Sequence, residues 1–224
     1  VVAVEQELIA EGLPQEEVIK LCDVHSQALK GVIDQDSAKT APPGHPVDTF
    51  IQENRALQLE IAAVEQLLQK STEFNKQFLD KIKQHFNHLA DVDKHYRRKE
   101  NLLFPFLEKY GITGPPTVMW GKHDEVRELL KSSFEALNVN DIGEDEFETV
   151  RDVVLTPTLN AIEEMIYKEE HILFPMCMDK LTEADWYSIY QQTIEIGFCL
   201  YDPKETWEPA FLSTTQHDEK PSDG

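Results

Sequence analysis

Apolar positions recur at helical spacing along most of the chain. Val18, Leu21, Cys22, His25, Leu29 and Val32 follow an i, i+3, i+4, i+7 rhythm, the signature of one buried helix face. A second stripe runs Phe74, Phe78, Ile82, His85, Leu89, Val92 and Tyr96, and a third Met119, His123, Val126, Leu130, Phe134 and Leu137. The fourth, Phe147, Val150, Val154, Ile162, Met165, Glu169, Ile172 and Met176, contains Pro157, which either kinks a long helix or marks its start. Strand-like alternation is almost absent before residue 194. These stripes predict an all-α fold class, with four long helices forming an antiparallel bundle.

Glycine and proline punctuate the stripes at Gly31, across Ala41-Pro42-Pro43-Gly44-His45-Pro46, from Gly111 to Pro116 and near Pro157. The segment before residue 45 reads as two helices, one ending near Gly12 and the other near Gly31. A small helical domain is expected at 1–68 and the bundle at 69–190, with the helix holding Arg55 to Lys70 available to both. From Ile194 the text changes, and Ile-Gly-Phe-Cys-Leu-Tyr-Asp-Pro reads as a strand entering a turn. Residues 191–224 are therefore expected to be a linker, the start of a further region and a disordered polar tail from Ser213. A chain that opens Val-Val and stops soon after a new element reads as a piece of something longer. One internal echo stands out: Lys99-Glu100-Asn101-Leu102-Leu103-Phe104-Pro105 resembles Glu169-Glu170-His171-Ile172-Leu173-Phe174-Pro175.

Charge narrows the function classes. With 42 acidic against 21 basic residues and a net charge of −21, the chain lacks the Lys and Arg surplus from which phosphate affinity comes, so neither nucleic acid nor an anionic membrane is an expected partner. No apolar run is long enough to span a bilayer. Three scattered cysteines, Cys22, Cys177 and Cys199, form neither a disulfide framework nor a CxxC zinc motif, which fits a reducing cytoplasm.

The candidate chemistry lies on the stripes. His25, His123 and, with one turn of drift, His95 sit on or beside apolar faces of three different helices, and Glu169 places a carboxylate on a fourth. A core histidine is usually a hydrogen-bonded structural residue, but a core carboxylate needs a cation, a proton or a partner. Bundle cores hold metals with inward-facing Glu and His from several helices, and imidazole with carboxylate suits iron ahead of zinc or manganese. Other candidates have both a ligand and a plain structural reading: His45 in its Gly-His-Pro loop, Glu170 through its place in the echo opposite Glu100, and His88 two turns before His95. His85 reads as core or surface, His171 as solvent-facing, Met165 as core or an axial haem ligand, and Asp124 and Glu125 as exposed acids or partners orienting His123.

The stretches His95-Tyr96-Arg97-Arg98-Lys99-Glu100-Asn101-Leu102-Leu103-Phe104-Pro105, Gly111 to Glu125 and Lys168-Glu169-Glu170-His171-Ile172-Leu173-Phe174-Pro175-Met176 resemble the haemerythrin-like HHE cation-binding family. Glu11-Gly12-Leu13-Pro14, Leu21-Cys22-Asp23-Val24-His25 and Gly44-His45-Pro46 resemble the domain of unknown function 438, which commonly precedes such a bundle, with a PAS domain following. The resemblance implies a four-helix bundle holding non-haem iron, mono- or di-iron, in bacterial and archaeal proteins that bind oxygen, sense oxygen, nitric oxide or redox state, store iron or repair iron centres. Carried over, His95 matches the second-helix histidine, His123 the third-helix histidine and Glu169 the last-helix carboxylate.

Two positions depart from the family pattern. Four residues after His95 stands Lys99, with the carboxylate one step later at Glu100, and four before Glu169 stands Met165. A separation of five residues rotates a side chain by about 140° against about 40° for four, so Glu100 shares a site with His95 only on a distorted helix. His25 and His45 are the candidates to replace the missing ligands. The resulting expectation is a cytoplasmic, iron-binding sensory or regulatory module responding to a diatomic ligand or oxidant, through a site built from His25, His45, His95, Glu100, His123, Glu169 and Glu170. An iron-dependent redox or repair enzyme and a haem-binding bundle are the alternatives.

Overall fold

The structure, a computed structural model, describes residues 41–70, 74–139 and 142–215, with a few isolated positions before residue 41. The 18–32 stripe, with Cys22 and the candidate ligand His25, lies outside the described residues, as does the tail from residue 216. Four helical rods make the bundle. The first is α1 (Pro46–Lys70) and the second runs α2 (Lys76–Leu89), α3 (Val92–Arg98), a π-helical turn over Lys99–Leu103 and α4 (Phe104–Lys109). The third is α5 (Gly114–Leu137). The fourth runs α6 (Glu144–Val150), a π turn over Arg151–Leu155, α7 (Thr156–Lys168), a π turn over Glu169–Leu173 and α8 (Phe174–Lys180). After them come α9 (Glu183–Ile196) and the short α10 (Ala210–Thr215).

Packing closes the rods into a ring, α1 on α2, α2 on α5, α5 on α7 and α7 on α1. The helix that the sequence leaves shared between two units buries Val47, Phe50, Leu57, Ile61 and Val64 in this ring and is a bundle member. The predicted stripes face the core: Phe78, Ile82, Leu89, Val92 and Tyr96 on the second rod and Met119, Val126, Leu130 and Leu137 on the third are all buried. Among the described residues no helix is long and apolar enough to cross a membrane.

The π turns share a cause. Pro105, Pro157 and Pro175 each stand two residues after the last residue of a π turn, inside what is otherwise continuous helix. Proline has no N–H to donate and its ring collides with the carbonyl four residues back, and a wider turn relieves both. Each wide turn also takes up an extra residue, which shifts the register downstream. In the fourth rod Leu155, Leu159, Leu173 and Cys177 are fully buried, while the expected Val154, Ile172 and Met176 are only half-buried. Pro157 thus does not begin the rod, which is already helical from Glu144.

The predicted strand from Ile194 is absent among the described residues. Ile194 and Ile196 belong to α9, which ends at Gly197 with φ +88, and residues 197–209 run on without regular structure. A lone strand has no neighbour to pair with in a helical protein, so the backbone is satisfied differently, the Cys199 N–H by a Glu53 carboxylate oxygen at 2.6 Å. The segment packs back over the start of α1: Trp207 and Trp186 hold the His45 ring edge-on at 4.7 and 4.8 Å. Gly44 lies so close that a Cβ would stand 2.7 Å from the Glu205 carbonyl oxygen.

Gly44 and Gly197 both have a left-handed φ, +78 and +88, but a Cβ at Gly197 would meet only Lys94 Cδ at 4.0 Å. Gly44→Ala is therefore expected to cost about 2–4 kcal/mol and Gly197→Ala only about 1–2 kcal/mol in urea denaturation. Equal losses would show that backbone strain alone, and not the closeness of residue 205, fixes the glycine at 44.

Candidate metal centre

A buried polar cluster sits where the four rods meet, at two of the π turns. Glu53 and Asn54 come from α1, His95, Tyr96 and Arg98 from α3, Lys99 and Glu100 from the first π turn, His123 from α5 and Glu169 from the last π turn. All of these are buried. The first π turn brings Glu100 inward, where its carboxylate meets His123 and Arg127. The two π turns of the internal echo meet here, and their first residues form an ion pair, Lys99 Nζ with Glu169 Oε1.

Each histidine is held by a carboxylate. His95 Nδ1–H donates to Glu53 Oε2 at 2.8 Å and its Nε2 bonds Glu169 Oε2 at 2.9 Å. His123 Nδ1–H donates to Glu100 Oε1 at 2.7 Å. Each carboxylate also has a cation of its own: Arg98 on Glu53, Lys99 on Glu169 and Arg127 on Glu100. Burial opposes the charge on Glu169, but Lys99 and His95 outweigh it and hold the carboxyl well below the usual range. Burial lowers the Lys99 ammonium's pKa, with Glu169 opposing. His123 is pushed well below its ordinary value, chiefly by burial with Lys99 adding repulsion, so its ring is neutral.

A neutral His123 protonated at Nδ1 presents an Nε2 lone pair, and that atom is buried without a hydrogen-bond partner among the described residues. The other buried side-chain atoms without partners there belong to Asn54, Tyr96 and Arg98, all at this cluster. Tyr96 stacks on His123 at 4.0 Å between centroids, and Lys99 Nζ lies over the Tyr96 ring at 4.5 Å. Unsatisfied groups are rare in native interiors, and several gathered around one spot mark a place for a further ligand.

Residues 45–177, more than half of the chain, match the Hemerythrin HHE cation binding domain. The chain belongs to that family. Residues 1–35 of this haemerythrin-like protein match a family of unknown function, DUF438, and no curated protein is similar enough to match.

The donors in the haemerythrin-like core are of the kinds that hold a cation. His95 Nε2, Glu169 and the bare His123 Nε2 offer two imidazoles and a carboxylate, and both rings have the carboxylate on Nδ1 that metal-bound histidines require. At the two positions that depart from the family pattern stand Lys99, an ammonium that repels a dication, and the buried thioether of Met165. The three donors are not drawn to within 4.8 Å of one another, a spacing that only Glu60, His85 and His88 meet among the described residues. Lys99, on Glu169, already supplies a positive charge to the core.

The remaining sequence candidates lie elsewhere. His45 caps α1, its Nδ1 accepting the Val47 N–H at 3.1 Å, and burial takes its pKa down to about 4. Glu170 turns from the core to accept Asn54 Nδ2 at 3.2 Å, in a cleft it shares with His171. Asp124 reaches Arg127 rather than His123, and His85 and His88 face Glu60. Glu53, Arg98 and Lys99 were not marked by sequence reasoning as parts of the site. An acid or base on an otherwise apolar helix face is the signal for them, since a buried charge demands a partner.

Two outcomes follow from this electrostatic arrangement. Lys99→Met strips the ammonium from the buried Glu169 carboxylate, leaving it only the His95 hydrogen bond, and is expected to cost about 3–5 kcal/mol in urea denaturation of chelator-treated protein, most of it regained in Lys99→Met/Glu169→Gln. A single-variant loss under about 1 kcal/mol would show that the pair is not buried as described. His45 and His123 are neutral when folded and bind a proton when unfolded below pH about 6.5, so stability present above that pH falls as pH drops towards 4. His45→Asn keeps an acceptor for Val47 and is expected to flatten the slope of denaturation midpoint against pH; an unchanged slope would remove His45 from the account.

Proposed function

We propose that this protein is a cytoplasmic, non-haem iron-binding module that reports the presence of a small diatomic ligand or an oxidant. The observation that carries the reading is the bonding of Glu53. One carboxylate oxygen takes the His95 Nδ1–H and Arg98, and the other takes the backbone N–H of Cys199. A single side chain thus joins the inner face of the bundle to the segment that leaves it.

Iron held by His95, His123 and Glu169 would supply a redox-active Lewis-acid centre with positions open to exchange. The residues around it do the rest. The hydrogen bond between His95 Nε2 and Glu169 Oε2 contains one proton, and these two atoms become free to hold a cation when that proton leaves. Glu53 and Glu100 keep both rings oriented, and Lys99 must release Glu169 for a cation to gain both carboxylate oxygens. Any turn of the His95 ring moves Glu53, and with it the Cys199 N–H. Phe198 follows, because its ring lies 5.2 Å from the Arg98 guanidinium carbon. Dense packing favours an ion over a porphyrin, since His123 is flanked by Tyr96 at 4.0 Å and Phe104 at 6.0 Å, and Phe50 stands edge-on to His95 at 5.0 Å.

Elemental analysis of anaerobically purified protein that has not met a metal-affinity column is expected to find iron, lost in His123→Ala and bound more tightly in Lys99→Met. Nitric oxide added to the ferrous protein is expected to change the visible spectrum and the hydrogen exchange of residues 197–209, and Glu53→Gln to abolish the second change while sparing the first. A colourless protein that takes up no ferrous ion would overturn the reading.

A further inference from the structure

A second constellation of metal-binding groups lies outside the core. Glu60 on α1 faces His85 and His88, which are three residues apart on one face of α2. His85 Nδ1 stands 2.6 Å from Glu60 Oε2 and His88 Nδ1 3.2 Å from Glu60 Oε1. The three donor atoms all lie within 4.8 Å of one another, unlike those of any other such trio among the described residues. The two imidazoles are nearly perpendicular, at 84° with centroids 6.2 Å apart, so they approach the carboxylate from different directions instead of stacking.

We propose that Glu60, His85 and His88 form a solvent-facing site for a divalent ion of the zinc class. Two imidazole nitrogens and one carboxylate are a ligand set that zinc takes at about 2.0–2.2 Å, with a fourth position left for water. Seating the ion between donors already this close needs only small side-chain rotations. The side chains have the freedom for it, being 24%, 26% and 44% exposed for Glu60, His85 and His88, and the same exposure gives the ion an entry path. A net charge of −21 raises the local concentration of cations at the surface. All three ligands use side chains anchored on packed helices, so the ion ties α1 to α2 across the connection that joins them.

This site is independent of the core reading and is tested apart from it. Cobalt(II), a coloured stand-in for zinc, is titrated into the full chain after chelator treatment. The expected result is a visible d–d absorption that persists in His123→Ala, is lost when His85→Asn/His88→Asn is added to that variant, and is displaced by zinc. Zinc is also expected to raise the melting temperature of the His123→Ala protein, reversibly on adding chelator, and not that of the His85→Asn/His88→Asn/His123→Ala protein. If the His85→Asn/His88→Asn/His123→Ala protein gives the same cobalt spectrum, or if His123→Ala alone removes it, the proposal is overturned, as it is by a wild-type protein that shows no d–d band. A merely structural hydrogen bond between Glu60 and His85 would leave no spectrum to lose.

Discussion

The interior of this bundle depends on one buried contact, the Lys99 ammonium against the Glu169 carboxylate. Placing either charge alone in that interior costs several kcal/mol, more than most whole side-chain contacts supply. The two appear together because the echoing segments put a cation at the head of one π turn and an anion at the head of the other. Around this pair the core remains close to electrically balanced, with Arg98 on Glu53 and Arg127 on Glu100. That balance sets the terms for any incoming ion, which has to compete with a positive charge already in place.

The haemerythrin-like identity and the departures from it therefore belong to one physical description. Two histidines are each braced by a carboxylate, and one ring nitrogen is buried without a partner among the described residues. Lysine and methionine stand at the two positions that depart from the family pattern, and imidazole and carboxylate donors remain beside them. The same carboxylate that braces His95 also holds the exit segment at Cys199, which joins the chemistry of the core to the path of the chain.

How much of this was legible in the sequence depends on whether the signal was periodic or spatial. Phe78, Ile82, Val126 and Leu130 revealed the bundle because burial repeats with the helix turn, and His95, His123 and Glu169 stood out as polar groups on those same faces. Ile172 and Met176 misled because a π turn advances the register by a residue, bringing Leu173 and Cys177 inward instead. Glu53 was unreadable from spacing, since its partners are 42, 45 and 146 residues away. The strand expected after Ile194 failed for a related reason: its apolar residues fitted a strand, but no second strand exists among the described residues to receive it.

The π turns have a consequence for how such a core can change over time. A helix carrying one surplus residue before a proline has two neighbouring settings of its threads, the wide one seen here and the ordinary one reached by losing that residue. Loss of one position within 99–103 would remove the surplus residue and let the turn close to ordinary α-helical width with the flanking segments kept in register, changing which residue of the turn faces the heart of the bundle without altering any other letter of the chain. Evolution can thus reset the polarity of this interior in a single deletion, a cheaper route than rebuilding a ligand set substitution by substitution.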